Sequence, residues 1–255
     1  MDCDAVVVGG GFAGVTAARE LQSRGLQTVL LEARDPETGA GMTDAELHDE
    51  VKALLVAGHT TTASALAWVW YRLSEHPEPR RRVQEEVRTV LVNRASGTEE
   101  VSVLPYTRMV IEEVLRLYPP TWVTARTPLR DDTIRGYRIA VGSIVLLSPF
   151  VTHRHPDFWK DPHRFDPERF TAERSVGRHP FAYLPFGAGP RSCIGGWLAS
   201  RVMELVVAMV AQRFQLTLVA DAWVEARPGL TLSPGPGVPV SLQAFFPATD
   251  PVTAA

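Results

Sequence analysis

The stretch PFGAGPRSCIGG, residues 185–196, decides the fold of this 255-residue chain, because it surrounds one of only two cysteines with glycine. Glycine lets a backbone adopt positive φ and pass close to a flat group. A thiolate is a soft iron ligand, and amide groups in such a loop can point at the sulfur and tune its electron donation. Cys193 is therefore either a metal ligand or a buried, inert thiol in a glycine turn.

Helical patterns account for most of the sequence around this loop. The string TDAE at 43–46 is a capping box with Thr43 at the N-cap and Glu46 at N3, and the helical pattern continues to residue 75. Further helices are predicted at 80–92, within 104–120 and at 194–214, the last one opened by Cys193. Short strands are predicted within 131–150, and a hairpin at 229–245. The expected fold class is mainly α with small β-sheets, α+β.

Composition excludes several function classes. The net charge of −3 gives no general attraction to nucleic acid or to an anionic membrane. Two cysteines provide no disulfide framework, which fits a reducing compartment. The apolar runs are far shorter than the roughly 20 residues that span a bilayer. These features predict a cytoplasmic protein without a membrane or nucleic-acid partner.

The string F-G-x-G-x-R-x-C-x-G around Cys193 resembles the haem-binding signature of the cytochrome P-450 family, the haem-thiolate monooxygenases. Three other strings in this chain follow the family's order: AGHTTT at 57–62, EEVLR at 112–116 and FDPERF at 165–170. The resemblance runs from about residue 33 to about residue 246 and covers the C-terminal half of the family's fold. The helices that precede this half in the family are not recognised in the chain.

The resemblance implies haem b as the cofactor, with Cys193 as the proximal iron ligand. It also implies that Phe186 shields the sulfur and that Arg191 and Arg126 pair with the haem propionates. The cofactor-binding residues expected from it are Phe186, Gly187, Arg191, Cys193, Gly195 and Arg126.

The residues Glu113, Arg116 and Arg169 are expected to form a structural node that holds the cysteine loop. Glu113 and Arg116 are i, i+3 neighbours on one helix face, and two guanidinium groups on one carboxylate make stiff, charge-assisted hydrogen bonds. A pair on the solvated surface would have the same sequence pattern, so this assignment depends on the accompanying motifs.

The string AGHTTT implies the oxygen-binding side of the site. By resemblance, Gly58 leaves room for a diatomic ligand and Thr61 hydrogen-bonds dioxygen and relays protons; the alternative is a hydroxyl bonded to the i−4 carbonyl. Thr60 occupies the position where the family usually carries Asp or Glu. Because a hydroxyl does not ionise near neutral pH, we expect slower proton delivery here.

The N-terminal stretch 1–35 resembles the FAD-binding start of flavin amine oxidases. It predicts a single Rossmann-type βαβ fragment, with a glycine-rich turn between strand and helix and an acidic residue at the second strand's end for a ribose hydroxyl. The proposed FAD-contacting residues are Gly9, Gly11, Gly14 and Glu32. One βαβ unit lacks the strands that complete a dinucleotide crevice, so stable FAD binding is not expected. We expect two regions, 1–35 and 36–255, joined in an apparent chimera.

The resemblance implies a monooxygenase that uses O2 to hydroxylate or epoxidise a small apolar organic substrate. Its electrons would come from a ferredoxin- or flavodoxin-type partner on the Cys193 side, with added positive charge from Arg80, Arg81 and Arg82. Two alternatives remain open. One is an FAD-dependent oxidoreductase or a flavin–haem fusion, and the other is a chimeric fragment without catalytic competence.

Overall fold

Helices supply most of the regular structure in the computed structural model, which describes residue 35 and residues 37–91 and 104–245. The helices are α1 (Asp44–Glu75), α2 (Pro77–Val90), α3 (Pro105–Leu117), α4 (Pro149–Thr152), α5 (Ala172–Ser175) and α6 (Gly196–Arg213). Single 3₁₀ turns occupy Pro167–Phe170 and Gly189–Arg191. The chain divides into two compact units, 1–63 and 64–255. The predicted βαβ fragment lies outside the described residues, and the boundary at residue 35 stays a prediction.

The capping box predicted at the start of α1 is confirmed. The hydroxyl of Thr43 accepts from the Glu46 amide at 3.3 Å, and the Glu46 carboxylate accepts from the Thr43 amide at 2.8 Å. These two bonds satisfy amide groups that a helix start leaves without intrahelical partners. The helix ends at Glu75, just before Pro77, which cannot continue it because proline lacks an amide hydrogen.

Helices α2, α3 and α6 pack against one another around the hydrophobic core of the 64–255 unit. Proline occupies the first turn of both α2 and α3, where its missing amide hydrogen costs nothing. Each helix contributes fully buried aliphatic side chains at helical spacing, namely Val83, Val87, Val110, Val114, Val207 and Ala211. Burial of these chains is the main term that stabilises the unit.

The described strands form four two-stranded antiparallel sheets. They are β1 (Thr124–Arg126) with β4 (Val145–Leu147), β2 (Asp132–Ile134) with β3 (Tyr137–Ile139), β5 (Phe214–Leu218) with β8 (Val240–Ala244), and β6 (Glu225–Pro228) with β7 (Leu232–Gly235). The small strands within 131–150 are therefore confirmed, as is the mainly α fold class with small sheets.

Two local predictions were wrong. The segment 229–245 does not pair with itself as a hairpin, because β7 pairs with β6 and β8 pairs with β5. Proline at 234 within β7, and prolines at 236 and 239 in the connection to β8, remove amide donors that a hairpin between these strands would use. The last long helix begins at Gly196 rather than at Cys193, so the cysteine lies in the turn that leads into α6.

Hydrogen bonds join the C-terminal part of α1 to the segment near β7. The indole Nε1 of Trp68 donates to the Leu232 carbonyl at 3.0 Å, and the buried hydroxyls of Ser64 and Thr231 lie 3.2 Å apart. The Trp68 ring also stacks on Tyr118, with centroids 3.9 Å apart and planes 7° apart. Buried Trp and Ser side chains thus find partners far along the chain.

A side chain from α2 caps the start of α3. The carboxylate of Glu86 accepts from the amides of Tyr106 at 2.7 Å and Thr107 at 2.8 Å, and from the Thr107 hydroxyl at 2.7 Å. A negative charge at a helix N-terminus satisfies free amide donors and interacts favourably with the helix dipole. This capping interaction fixes α3, which carries the E-x-x-R string, against α2.

We predict that Glu86→Ala lowers the free energy of unfolding by about 2–3 kcal/mol, because hydrogen bonds to a charged acceptor are lost and donors beside the buried Thr107 are left unsatisfied. Urea unfolding followed by circular dichroism measures the loss. The matched control is Glu85→Ala, which removes an exposed ion pair with Arg81 and should cost less than about 1 kcal/mol. Equal losses in the two variants would contradict the capping role.

Candidate functional site

The cysteine loop, residues 185–196, is closed by its own backbone hydrogen bonds. The Cys193 amide donates to the Phe186 carbonyl at 2.8 Å, the Gly187 amide to the Leu184 carbonyl at 3.2 Å, and the Ser192 amide to the Gly189 carbonyl at 3.0 Å. Gly187 and Gly189 have φ values of +72° and +71°, a backbone region that residues with a Cβ rarely adopt. The loop geometry therefore needs glycine at these two positions.

Phe186 connects the loop to the hydrophobic core. Its ring is half-buried against the core, and a Cβ added to Gly196 would lie 3.1 Å from the ring's Cγ. Glycine at 196 thus lets the start of α6 approach the ring closely. A Cβ at Gly195 would lie 3.9 Å from the Cys193 sulfur, which is ordinary contact. Phe186 thus packs against the core and close to Gly196, and its shielding of the sulfur stays a prediction.

The donor set fits a haem. Cys193 is a free cysteine with an exposed side chain, as a ligand to an external group must be. Arg191 ends the 3₁₀ turn of the loop and Arg126 lies on β1; both are exposed. Among the ion pairs found in the described residues, neither guanidinium contacts a carboxylate, and Arg126 donates only to the Ala125 carbonyl at 2.8 Å. Both charges are therefore available for carboxylates of a bound group.

Glu113 and Arg116 form a buried ion pair on α3. The Arg116 Nε donates to one carboxylate oxygen of Glu113 at 2.6 Å and its Nη2 donates to the other at 2.8 Å, and both side chains are fully buried. The Asp166 amide donates to the same carboxylate at 2.9 Å. Arg169 Nε lies 3.4 Å from it, close enough for an ion pair but without hydrogen-bond geometry. Glu113, Arg116 and Arg169, which were predicted to form a structural node, therefore lie together. The alternative, a pair on the solvated surface, is wrong because the Glu113 and Arg116 side chains are fully buried.

Both arginines of the node also hold backbone carbonyls in the segment that follows α4. Arg116 donates to the carbonyls of His153 at 2.8 Å, Pro162 at 2.7 Å and Arg164 at 3.3 Å. Arg169 donates to the carbonyls of Lys160 and Asp161. Burial lowers the pKa of Arg169, although the nearby Glu113 carboxylate opposes this shift. The node thus satisfies carbonyls in a stretch that contains little regular structure.

The oxygen-side residues lie on α1, in the 1–63 unit. The Thr61 hydroxyl donates to the Ala57 carbonyl at 2.6 Å, which is the i−4 bond weighed as its alternative role. This bond uses the hydroxyl hydrogen and leaves the oxygen free to accept. Thr60 is exposed and Gly58 is partly exposed. The roles of these three residues stay predictions.

The structure corrects the expectation that Arg81 and Arg82 add free positive charge. Arg81 pairs with Glu85 at 2.6 Å and with Glu78 at 3.8 Å. Arg82 pairs with Glu168 at 2.6 Å. The charges of Arg81 and Arg82 are therefore offset by neighbouring carboxylates, whereas Arg80 donates to the Leu216 carbonyl at 3.4 Å.

Sequence reasoning missed three side chains that hold the approach to the cysteine loop. The Tyr183 hydroxyl donates to the Glu112 carbonyl at 3.0 Å, and the Trp159 indole donates to the Ala182 carbonyl at 3.2 Å. The third is His153, fully buried, whose ring contacts the Leu184 amide. The stretch THRHPD, residues 152–157, contains no local pattern that predicts burial of His153 and exposure of His155. The difference between them arises from contacts with distant parts of the chain.

A cleft of about 320 Å³ opens beside the loop, between α3 and α6. Phe186, Gly196 and Trp197 line one side of it. Its carboxylates, Glu112 and Glu204, have pKa values raised by burial, although Arg108 and Arg201 respectively oppose the shift. The paired charges leave the cleft close to neutral, and Trp197 gives it an exposed aromatic edge.

Some sequence predictions cannot be compared with the structure. The residues Gly9, Gly11, Gly14 and Glu32, proposed to bind FAD, lie outside the described residues. Within residues 37–91 and 104–245, no helix has the length and apolar character to cross a bilayer.

A family model described as Cytochrome P450 matches residues 16–237 of the chain, and this match begins inside the stretch interpreted as a flavin-binding fragment. A crystal structure of the cytochrome P450DA heme domain superimposes with a TM-score of 0.82 at 32% identity, over 91% of this chain and 54% of that one.

Three curated proteins from Streptomyces match about four fifths of the chain. Cyclooctatin synthase of Streptomyces melanosporofaciens is 40% identical over 82% of this chain and 46% of its own length. Cyclooctat-9-en-7-ol 5-monooxygenase of the same organism is 42% identical over 81% of this chain and 43% of its length. Pentalenene oxygenase of Streptomyces avermitilis is 34% identical over 80% and 45%. The chain spans less than half the length of these relatives.

We predict that Arg116→Lys lowers the free energy of unfolding by about 3 kcal/mol, since an ammonium cannot make the two-pronged contact with Glu113 and also reach several carbonyls. The shift of the urea midpoint measures this loss. Arg108→Lys is the control, because Arg108 makes one exposed contact with Glu112 on the same helix. A midpoint for Arg116→Lys equal to that of the control would show that the buried node does not stabilise the fold.

Proposed function

The chain belongs to the cytochrome P450 family, and from this premise we propose that it is a haem-thiolate monooxygenase whose iron ligand is Cys193. Haem iron is the cofactor of the family. The observation that carries the proposal is the exposed Cys193 thiol on a loop closed by its own hydrogen bonds and tied to the core through Phe186. This arrangement presents a single sulfur on a rigid support, as an axial ligand requires.

Each cofactor-binding residue has a separate task in this proposal. Bound thiolate-ligated haem supplies the activation of O2. Cys193 would hold the iron from one side, and the amide groups of Ile194 and Gly195 would face the sulfur. Arg191 and Arg126 would neutralise the propionates, since their guanidinium groups have no carboxylate partner among the described residues.

Residues 58–61 of α1 would serve the oxygen side. Gly58 leaves the helix surface without a side chain, and Thr61 can accept a hydrogen bond while it donates to Ala57. Thr60 offers a hydroxyl where the family usually has a carboxylic acid. Proton transfer through a hydroxyl needs a second donor, so water would have to supply the proton. The proposal therefore includes incomplete coupling of electron transfer to substrate oxidation.

The substrate class we propose is a small apolar organic molecule. Two relatives are named as a 5-monooxygenase of cyclooctat-9-en-7-ol and as an oxygenase of pentalenene, and both share more than a third of the aligned residues with this chain. Electrons would come from a ferredoxin- or flavodoxin-type protein that docks on the Cys193 side. Because Arg81 and Arg82 are paired with carboxylates, only Arg80 of this run would add positive charge to docking.

Reduced protein loaded with haem should show, on addition of carbon monoxide, the absorption band that is characteristic of thiolate-ligated ferrous haem. Cys193→Ser should abolish this band, because a serine hydroxyl is not a thiolate. Cys3→Ser is the control and should retain it. Loss of the band in both variants, or its absence from the unmodified chain, would overturn the assignment. A bound yellow flavin without this band would instead support the FAD-dependent alternative.

Thr60→Glu should lower the fraction of NADH electrons recovered as hydrogen peroxide by about twofold or more, because a carboxylic acid at this position supplies the missing proton donor. Peroxide is measured against NADH consumed with a ferredoxin, its reductase and a saturating cyclic hydrocarbon present. His59→Glu is the control, since it places the same charge about 100° around the helix. Equal peroxide yields in all three proteins would remove the proton-delivery role of residue 60.

A further inference from the structure

His153 lies at the junction between the buried ion pair and the cysteine loop. Its side chain is fully buried at the end of α4. The ring Nδ1 lies 3.2 Å from the Arg116 carbonyl, and Nε2 lies 2.7 Å from the Leu184 amide. Its ring also packs against Tyr183, with centroids 5.3 Å apart. Leu184 directly precedes Pro185, the first residue of the cysteine loop.

These two contacts fix the tautomer of the imidazole. An amide hydrogen can only donate, so Nε2 must accept from Leu184 and Nδ1 must carry the hydrogen that is donated to the Arg116 carbonyl. An imidazolium ion would have no acceptor for the Leu184 amide. Burial lowers the pKa of His153 to about 4, which agrees with a neutral ring. Both ring nitrogens are thus satisfied in one orientation.

A second hydrogen bond makes the link between His153 and Arg116 reciprocal. The Arg116 guanidinium donates to the His153 carbonyl at 2.8 Å, while the His153 ring donates to the Arg116 carbonyl. Because the same guanidinium is held by Glu113, the position of the imidazole is set by a fully buried ion pair. Rotation of the ring would break bonds at both ends.

The His153 ring is connected to the cysteine loop through its hydrogen bond with the Leu184 amide. The Leu184 carbonyl accepts from the Gly187 amide, and the Phe186 carbonyl between them accepts from the Cys193 amide. Trp159 and Tyr183 hold the same segment, but their contacts end on the Ala182 carbonyl and on helix α3. His153 is the side chain whose hydrogen bond reaches the amide next to Pro185, among the residues that the structure describes.

We propose that His153 is a positioning residue for Cys193, which aligns the cysteine loop on the Glu113–Arg116 pair through the amide of Leu184. The inference rests on the proposed haem-thiolate function for its consequence at the iron. The expected consequence is that correct sulfur placement, and with it thiolate rather than thiol ligation, depends on a hydrogen-bond acceptor at the position of Nε2.

Two variants of His153 distinguish the hydrogen bond made by Nδ1 from the hydrogen bond made by Nε2. His153→Gln can bring its side-chain oxygen to the position of Nε2 and keep the bond from Leu184. His153→Asn is shorter, so it can reach only the Arg116 carbonyl. The control Tyr183→Phe removes one hydrogen bond from the same segment without touching the Leu184 amide. Each variant of the full chain is loaded with haem, reduced and treated with carbon monoxide, and a titration measures its haem affinity.

We expect His153→Asn to bind haem about tenfold more weakly and to show the thiol-ligated band at the expense of the thiolate band, as loss of outer support for a ligand commonly does. His153→Gln and Tyr183→Phe should keep the thiolate band. A thiolate band in His153→Asn equal to that of the unmodified chain would overturn the inference, and so would an equal loss in Tyr183→Phe. If the unmodified chain itself lacks the band, the proposed function fails instead.

A measurement without haem tests the same link and needs no variant to fold. Amide hydrogen exchange of the unmodified apo-protein, resolved to single residues, should show the Leu184 amide protected to the same degree as the core amide of Val114. Exchange of Leu184 as fast as that of the exposed Ala188 and Gly189 would overturn the inference, because the imidazole would then not hold the segment.

Discussion

The fold depends on the requirement that a buried charge be completely satisfied. Glu113 and Arg116 lie on one turn of α3 with no exposed surface, so every donor and acceptor that they carry must find a partner inside the protein. The carboxylate meets this requirement with two donors from Arg116 and the Asp166 amide. The guanidinium meets it with carbonyls from distant residues. One helical turn thereby fixes the course of segments far away in the chain.

The same requirement explains why the chain between α4 and the cysteine loop holds a defined course with little helix or strand. Backbone groups that would otherwise pair in a ladder are satisfied by arginine, histidine and tryptophan side chains. Cation–π contacts add to this, since the Arg178 guanidinium lies 4.7 Å from the ring centroid of Trp159 and 4.9 Å from that of Phe170. Side chains therefore act here as the scaffold, and the functional cysteine lies at the end of it.

Local signals in the sequence were enough to predict the long helices to within a few residues, but not the short helices α4 and α5. The capping box of Thr43 and Glu46, the prolines before α2 and α3, and the valine spacing of the core each act over a few residues. Sequence reasoning failed on pairings that the local pattern does not distinguish. Strand β7 pairs with the preceding β6 rather than with β8, which pairs with the distant β5. Arg81 pairs with Glu78 and Glu85 within α2, whereas Arg82 pairs with Glu168 far along the chain. The cysteine and its ion-pair node were found through ordered motifs, whereas the burial of His153 has no local sequence signal.

The hydrogen bond from the Trp68 indole to the Leu232 carbonyl has a consequence for how the protein is made. Its two partners are 164 residues apart, so the indole leaves the ribosome long before its acceptor exists. At about 5–20 residues per second, the wait is on the order of ten seconds or more. Throughout that time the Trp68 ring can stack only on Tyr118, which is made earlier, and its indole nitrogen gains its carbonyl partner only when translation has passed β7.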